Sequence, residues 1–423
     1  MPPERRPSGT SISTERAFDF HRPARKDRPT AVGMLRCSII GAIMRLAILG
    51  CGYVANMYRL TLPAHPQLEL AGVHDSERSR AEGFGRLTGA RVYRSFAELL
   101  EDDTVALVLN LTNPHAHYAT TRALLEAGKH VWSEKPLAMD LDEARDLVAL
   151  AEARGRALAC APSTLLNPVA QTVWRCLRRG DIGPVRLVYA EMDDGMVARA
   201  PTAKWINEAG VGWPAIDEFQ VGCTVEHAGY VLSWLCAFFG PAETVTAHAE
   251  LLMPDKMPGV ALHPAADFSV ACIRFRSGVV ARMTNGIYAA HDHRLRFFGD
   301  AGVLEVEDPR SDRSAVHRRS YATLRRRRFL GPARRVPLLG PRETIAAYRG
   351  SQTRDFCRAI AEMAEAIAAG RRPRLAADLA LHVTELTLAC QGGGRLSRDT
   401  PAGGGSHAVA TDFTPPEPMP WAR

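Results

Sequence analysis

From residue 44 onward the chain alternates between two hydrophobic patterns. Short apolar runs at 45–49, 68–73, 105–111, 130–133 and 157–161 predict buried strands. Between them, apolar residues recur at three- and four-residue spacing over 54–62, 77–87, 96–100, 116–127 and 141–154, as one-sided helices require. Strand and helix in regular alternation predict a parallel, doubly wound sheet over 44–163.

After Pro162 the pattern changes. A helix over 169–179 is stopped by Gly180. Long alternating segments follow at 185–192, 244–252, 268–275, 279–287, 294–298 and 303–306. Ser277-Gly278 and Asp300-Ala301-Gly302 supply hairpin connections. Helices over 223–239, 353–369 and 376–390 would cover one face. The fold class is therefore α/β: an N-terminal Rossmann-type sheet, then an α+β domain over 164–390 with a largely antiparallel open sheet. Residues 1–43, rich in Pro, Arg, Ser and Thr, read as a disordered leader or an upstream start, with Met34 and Met44 as later starts. Residues 391–423 turn to Gly, Pro and Ser and are expected to be a flexible tail.

Composition narrows the function classes. A chain of 423 residues with 46% hydrophobic and 23% charged positions fits two globular domains. No apolar run reaches the roughly 18 residues of a membrane span. Nine cysteines lack CxxC pairs or His partners at metal spacing, so neither a disulfide framework nor a metal site is expected. Leu49-Gly50-Cys51 faintly resembles a lipoprotein cleavage site, but Arg45 interrupts the apolar stretch before it. A cytoplasmic protein is expected. The formal charge is +7, of which residues 1–43 carry a surplus of four, with eight basic against four acidic side chains. The other 380 residues carry three, too little to predict a nucleic-acid partner.

Gly50-Cys51-Gly52-Tyr53-Val54-Ala55 follows the first strand and opens a helix. In that context Gly50 permits the tight turn, Gly52 lets a pyrophosphate approach the backbone, and Ala55 is small enough for close helix–strand packing. The helix start directs free N–H groups and a positive dipole end at phosphate. Asp75 ends the second strand at the separation expected of a ribose-binding carboxylate. That carboxylate favours NAD over NADP; Arg78, close by, keeps NADP open.

Two further segments lie at carboxyl ends of predicted strands, where doubly wound sheets bind ligands. They are Thr112-Asn113-Pro114-His115-Ala116-His117 and Trp132-Ser133-Glu134-Lys135-Pro136. Taken with the glycine turn and Asp75, they make residues 44 to about 179 resemble the glucose–fructose oxidoreductase / inositol dehydrogenase / rhizopine catabolism (Gfo/Idh/MocA) family. A looser likeness runs to residue 390. The resemblance implies cofactor contacts from Thr112, Asn113, Pro114, His117, Glu134 and Lys135, with Lys135 touching both substrate and nicotinamide ribose. Moving a hydride from a carbinol carbon requires moving the hydroxyl proton as well. A partly desolvated lysine beside the cofactor is expected to have its pKa lowered toward neutrality and to carry that proton.

The family's second signature places an Asp four residues before a His on a helix. Here the match is Glu226-His227-Ala228-Gly229-Tyr230, so Glu226 and Tyr230 share a helical face and Tyr230 stands where His is commoner. Tyr230 as proton relay, His227 as relay, and a packing role for both remain open. Asn167, Lys204, Trp205 and Trp213 are candidate substrate-pocket residues by position. Arg325 to Arg328 with Arg334 and Arg335 form either an anion site or a solvated strand edge. The expected activity is hydride transfer between nicotinamide and a sugar, cyclitol or related polyol, in a homodimer or homotetramer built on the open sheet. A non-catalytic cofactor-binding regulator and an NAD-dependent glycoside hydrolase are the alternatives.

Overall fold

The structure, a computed structural model, describes residues 43–341, 353–392 and 405–423. The leader expected over 1–43 therefore falls, Ile43 excepted, outside the described residues, as does the 393–404 part of the expected tail.

The first sheet contains β1 (Met44–Leu49), β2 (Leu68–His74), β3 (Arg91–Val92), β4 (Leu107–Asn110), β5 (His130–Ser133) and β6 (Leu158–Cys160). They lie in the order β3-β2-β1-β4-β5-β6, and every pairing is parallel. β1 sits at the centre with Leu46, Ala47 and Ile48 fully buried, so both of its faces need cover. Helices α1 (Ala55–Thr61) and α2 (Arg78–Thr88) supply it on one side through Tyr58, Ala81 and Phe84. Helices α3 (Phe96–Leu100), α4 (His117–Glu126) and α5 (Leu141–Ala153) cover the other through Leu99, Leu124, Leu125 and Leu147. The two-residue β3 escaped the sequence reading because it is too short to show a period.

Helix α6 (Pro168–Arg178) leads into β7 (Val185–Asp193). The chain then forms α7 (Ala215–Val221), α8 (Cys223–His227), α9 (Gly229–Phe239), β8 (Ala242–Glu250), β9 (Phe268–Phe275), β10 (Val280–Gly286), β11 (Leu295–Gly299) and β12 (Gly302–Val306). Next come β13 (Val316–Leu324), β14 (Arg327–Leu330), β15 (Arg334–Val336), α10 (Arg358–Ala368), α11 (Ala377–Cys390) and β16 (Gly405–Ala408). The second sheet runs β14-β13-β12-β11-β7-β10-β9-β8-β16, with β15 also on β13. It is antiparallel except where β10 joins β7 in parallel. Its inner face, including Val188, Ala281, Met283, Phe297 and Ile273, packs into one core with α6, α9 and α11. No helix among the described residues is long and apolar enough to cross a membrane.

Three expectations are corrected. The helix expected over 223–239 divides at Ala228, although Ala228 keeps helical backbone angles and the spacing from Glu226 to Tyr230 survives. The helix expected from 353 begins at Arg358, because Asp355 Oδ1 accepts the N–H groups of Cys357 and Arg358 and so fixes the preceding residues as a non-helical cap. The segment 405–423 is no loose tail. β16 pairs with β8, Phe413 and Ala422 are buried, and Glu385 receives the N–H groups of Ala410 and Thr411. The arginine run lies on the sheet's rim: Arg325 turns the hairpin with φ 56°, and Arg327 and Arg328 are exposed on the edge strand β14.

Candidate active site

At the carboxyl end of β1 the chain turns at Gly50, whose φ of +96° suits glycine. A Cβ there would stand 2.6 Å from the Leu111 carbonyl carbon. Gly52 differs: a Cβ on it would meet nothing within 4 Å, so the space over it is open to a ligand. Cys51 N–H donates to Asp75 Oδ2 at 2.7 Å and Glu77 N–H to Oδ1 at 2.8 Å, which fixes the carboxylate against the turn. Burial, with Asp75 beside it, pushes the Cys51 thiol up, so it stays protonated. Tyr53 and Val54 continue the turn, and buried Ala55 opens α1 against the sheet. A helix start, a glycine-bounded gap and a strand-end carboxylate fit a dinucleotide's pyrophosphate and ribose.

The next strand ends supply the predicted loops. Thr112 Oγ1 donates to the Asn110 side chain at 2.8 Å, Asn113 caps the turn that begins with Pro114, and both precede α4. His117 is fully buried, its ring nitrogens 2.6 Å from Pro136 O and 3.0 Å from Thr112 O. It therefore ties the β4 and β5 loops together instead of facing a ligand, and burial lowers its pKa. Glu134 is 7% exposed. Its Oε1 accepts the Tyr58 hydroxyl at 2.6 Å, while Oε2 accepts the Lys135 N–H at 3.1 Å. Trp132 Nε1 donates to the same Tyr58 oxygen at 2.9 Å. Tyr58 was missed by the sequence reading; its partner lies 76 positions away, and nothing local marks it.

Lys135 is the meeting point of the two halves of the chain. Its Nζ forms an ion pair with Glu226 Oε2 from α8. Burial acts to lower the lysine pKa, yet Glu226, Glu218, Tyr230 and Glu134 together raise it above the ordinary value. The expected depression toward neutrality is thus reversed in the ligand-free site, because carboxylates outweigh desolvation. Glu218 on α7 belongs to this cluster and was not singled out from the sequence. Burial, reinforced by the Glu226 charge, pushes its carboxyl well up. Tyr230 has two guanidinium neighbours, Arg354 Cζ at 5.4 Å and Arg310 Cζ at 5.9 Å from the ring centroid.

His227 faces elsewhere: its Nδ1 is 3.0 Å from Asp194 Oδ2. Asp194 also meets His293 Nε2 and Arg310 Nη2, each 2.9 Å from Oδ1. Although burial would raise the Asp194 pKa, these partners hold it well below the carboxylate range. Asp194, His291 and His293 bring ligand atoms within 4.8 Å of one another, a spacing that a divalent metal can bridge. The Arg310 guanidinium already stands on that carboxylate.

Of the predicted pocket residues, Asn167 is corrected. It is 1% exposed, its Oδ1 caps α6 by accepting Ala170 N–H at 2.7 Å, and its Nδ2 donates to Pro309 O. Trp205 and Trp213 stack edge to face at 5.2 Å, and Trp213 meets Phe219 at 5.8 Å, while Lys204 is exposed. Between the tryptophans Asn207 donates to Tyr53 O at 3.3 Å, and Glu208 pairs with Arg59 on α1. This loop of the second half therefore clasps the glycine turn of the first, a contact no local pattern announces.

Sequence comparison finds two matching profiles, "Oxidoreductase family, NAD-binding Rossmann fold" over residues 44–161 and "GFO/IDH/MocA C-terminal domain" over 170–305. A dTDP-3,4-didehydro-2,6-dideoxy-alpha-D-glucose 3-reductase of Actinomadura kijaniata is 26% identical over 83% of this chain and 96% of its own length. A trans-1,2-dihydrobenzene-1,2-diol dehydrogenase of Oryctolagus cuniculus is 30% identical over 38% of this chain, which spans half the length of that relative. Among solved structures, a 3-ketoreductase of Actinomadura kijaniata in complex with NADP and TDP-benzene is 25% identical with a TM-score of 0.63, covering 83% of this chain and 98% of its own.

Proposed function

This chain belongs to the Gfo/Idh/MocA oxidoreductase family, and from that membership we propose that it is an NAD(P)-dependent oxidoreductase acting on a hydroxyl or carbonyl carbon of a sugar-like or polyol substrate. The observation that carries this reading is the junction of Lys135, at the carboxyl end of β5, with Glu226 and Tyr230 from the second half. When bound, the nicotinamide supplies the hydride chemistry. Gly50, Cys51, Gly52, Tyr53, Val54 and Ala55 would hold the pyrophosphate and Asp75 the adenosine ribose, with Thr112, Asn113 and Pro114 along the nicotinamide side. NAD is the favoured cofactor because Asp75 repels a 2′-phosphate.

Lys135, held as an ammonium by Glu226, donates a hydrogen bond to the substrate oxygen and gives up a proton as that oxygen becomes a hydroxyl. In the oxidising direction the Lys135 ammonium passes one proton to the Glu226 carboxylate as it takes one from the substrate hydroxyl, so the pair ends one proton richer. Tyr230 is preferred to His227 as the second proton group, since His227 is turned to Asp194. Asn167, Lys204 and His227 are not assigned substrate contacts; Trp205 and Trp213 line the loop over the cofactor turn. Lys135→Met should keep cofactor affinity and lose ~100-fold or more in kcat. Turnover at the wild-type level would remove the lysine from this role.

Residues 44–163 are proposed as the cofactor-binding region and 164–390 as the substrate and assembly region. The outer face of the second sheet presents half-buried Tyr189 and Phe298, 5.0 Å apart, beside Arg282 and Arg296. It is proposed to join two or more copies, which light scattering would check. Eight free cysteines among the described residues suit a reducing cytoplasm, testable by thiol titration of freshly isolated protein.

A further inference from the structure

We propose that the hairpin of β13 and β14 docks this protein onto a membrane surface rich in anionic phospholipid, with its arginines on the headgroups and Leu324 and Phe329 in the interface.

The charge of this segment is one-sided. Residues 316–336 hold eight arginines and no Asp or Glu. The chain from residue 44 onward carries a net +3, so without this segment it is acidic by five. Carboxylates elsewhere do little to neutralise the arginines. Arg318 and Arg319, nearest the body, have Asp181 and Glu305 each at 4.0 Å. Arg328 donates to the Asp300 main-chain carbonyl and lies over the Tyr321 ring at 4.4 Å. Arg325, Arg326, Arg327, Arg334 and Arg335 are exposed and make no ion pair among the described residues.

The geometry turns that charge outward. β12 accompanies β13 only as far as Ser320, and from Tyr321 to Leu330 the chain is a two-stranded ribbon of β13 and β14. Its base is anchored. Tyr321 N–H donates to Ala301 O at 3.0 Å, Gly331 N–H to Ser320 O at 2.9 Å, and Arg319 Nε to Gly331 O at 2.9 Å. The register sets Ala322 opposite Phe329 and Leu324 opposite Arg327, so these four side chains share one face. Leu324 is 66% exposed and Phe329 48%. Arg325 and Arg326 make the turn between the strands, which leaves a small apolar face rimmed by unpaired guanidinium groups.

Guarding a sheet edge would account for the arginines but not for Leu324 and Phe329, which make an edge more adhesive. A protruding ribbon offers a peptide no groove, yet it can lay its tip on a flat surface. Nucleic acid would engage the guanidinium groups and leave Leu324 without a partner. An anionic bilayer uses both features: clustered arginines are drawn to its headgroups, and apolar side chains between them enter the acyl boundary. At physiological salt, charges more than about 8 Å away are largely screened, so the acidic remainder of the molecule does not cancel the attraction at the tip.

The test is co-sedimentation of the full chain with phosphatidylcholine vesicles, with and without about 30% phosphatidylglycerol, at about 0.1 M salt. The protein should bind the anionic vesicles at least about a hundredfold more tightly than the neutral ones, and about 0.5 M salt should release it. Replacing Arg325, Arg326 and Arg327 together by Gln should weaken binding by about a hundredfold, since each arginine near such a surface is worth about fivefold. Leu324→Ser with Phe329→Ser should weaken it by about tenfold while the salt dependence stays as it was. Because these side chains are exposed and lie outside the Lys135 cluster, both variants should keep the wild-type melting temperature and NADH affinity. Equal or undetectable binding to the two kinds of vesicle overturns the proposal, as does undiminished binding by the arginine variant. A serine variant that binds like wild type, or tighter binding to an oligonucleotide than to anionic vesicles at the same salt, overturns the membrane in favour of a polyanion held by charge alone.

Discussion

Lys135 and Asp75 are single residues whose chemistry is set by what they touch. Asp75 is fixed by two backbone N–H groups, from Cys51 and Glu77, so its charge stays where the ribose of a dinucleotide would lie. Asp75→Ala removes the repulsion toward a 2′-phosphate. The ratio of kcat/KM for NADP over NAD should therefore rise by about tenfold or more, the scale of one lost charged contact. An unchanged ratio would place cofactor choice elsewhere, with Arg78 the nearest candidate. Both residues were legible in the sequence because each stands at a strand end beside a motif. Tyr58 and Glu218 were not, since each owes its environment to partners distant along the chain. The protonation of Lys135 was misjudged for the same reason: a sequence shows the lysine but not the carboxylates that assemble round it.

At the scale of elements, periodicity found most strands and helices to within a residue or two and failed where side chains override it. Asn167 shows how position can mislead. It lies near the pocket in sequence, yet it caps α6 and bonds Pro309 O from a fully buried position. Asn167→Ala should cost about 1–2 kcal/mol of stability through the lost cap and the orphaned carbonyl. Chemical denaturation should register that loss while KM stays as it was, and a raised KM at full stability would return Asn167 to substrate binding. The loop carrying Trp205, Asn207 and Trp213 is the opposite case. Its bonds to the glycine turn could not be foreseen, because a turn between strands says nothing about where it docks.

Over the whole molecule α11 holds the two sheets together. Ala376 bridges to Ala159 on β6, Ala380 packs with the first sheet, and Leu386 and Leu388 belong to the core shared with the second. His382 on this helix accepts Ala242 N–H at 3.0 Å through Nε2, so Nδ1 carries the proton and donates to Thr411. Burial lowers its pKa from 6.5 to about 4. The unfolded chain thus binds the extra proton between those values and the folded one does not. The stability from His382 is complete above pH 6.5 and is lost as pH falls toward 4. Replacing it by Gln should flatten that part of the pH–stability curve, measured by urea denaturation at stepped pH; an unaltered slope would assign the acid sensitivity to other groups.

β16 lies along β8 as the last strand of its sheet. Trimming the chain at residue 404 would strip a row of backbone donors and acceptors of their cover, along a strand whose inner side chains are already committed to the core. Such a shortened protein would meet its own kind rim to rim, and, having also lost Phe413 and the N–H groups that satisfy the buried Glu385, it would cloud on concentration and unfold more readily. The closing residues would then act as a guard against unwanted polymerisation, doing for solubility what the glycine turn does for the cofactor.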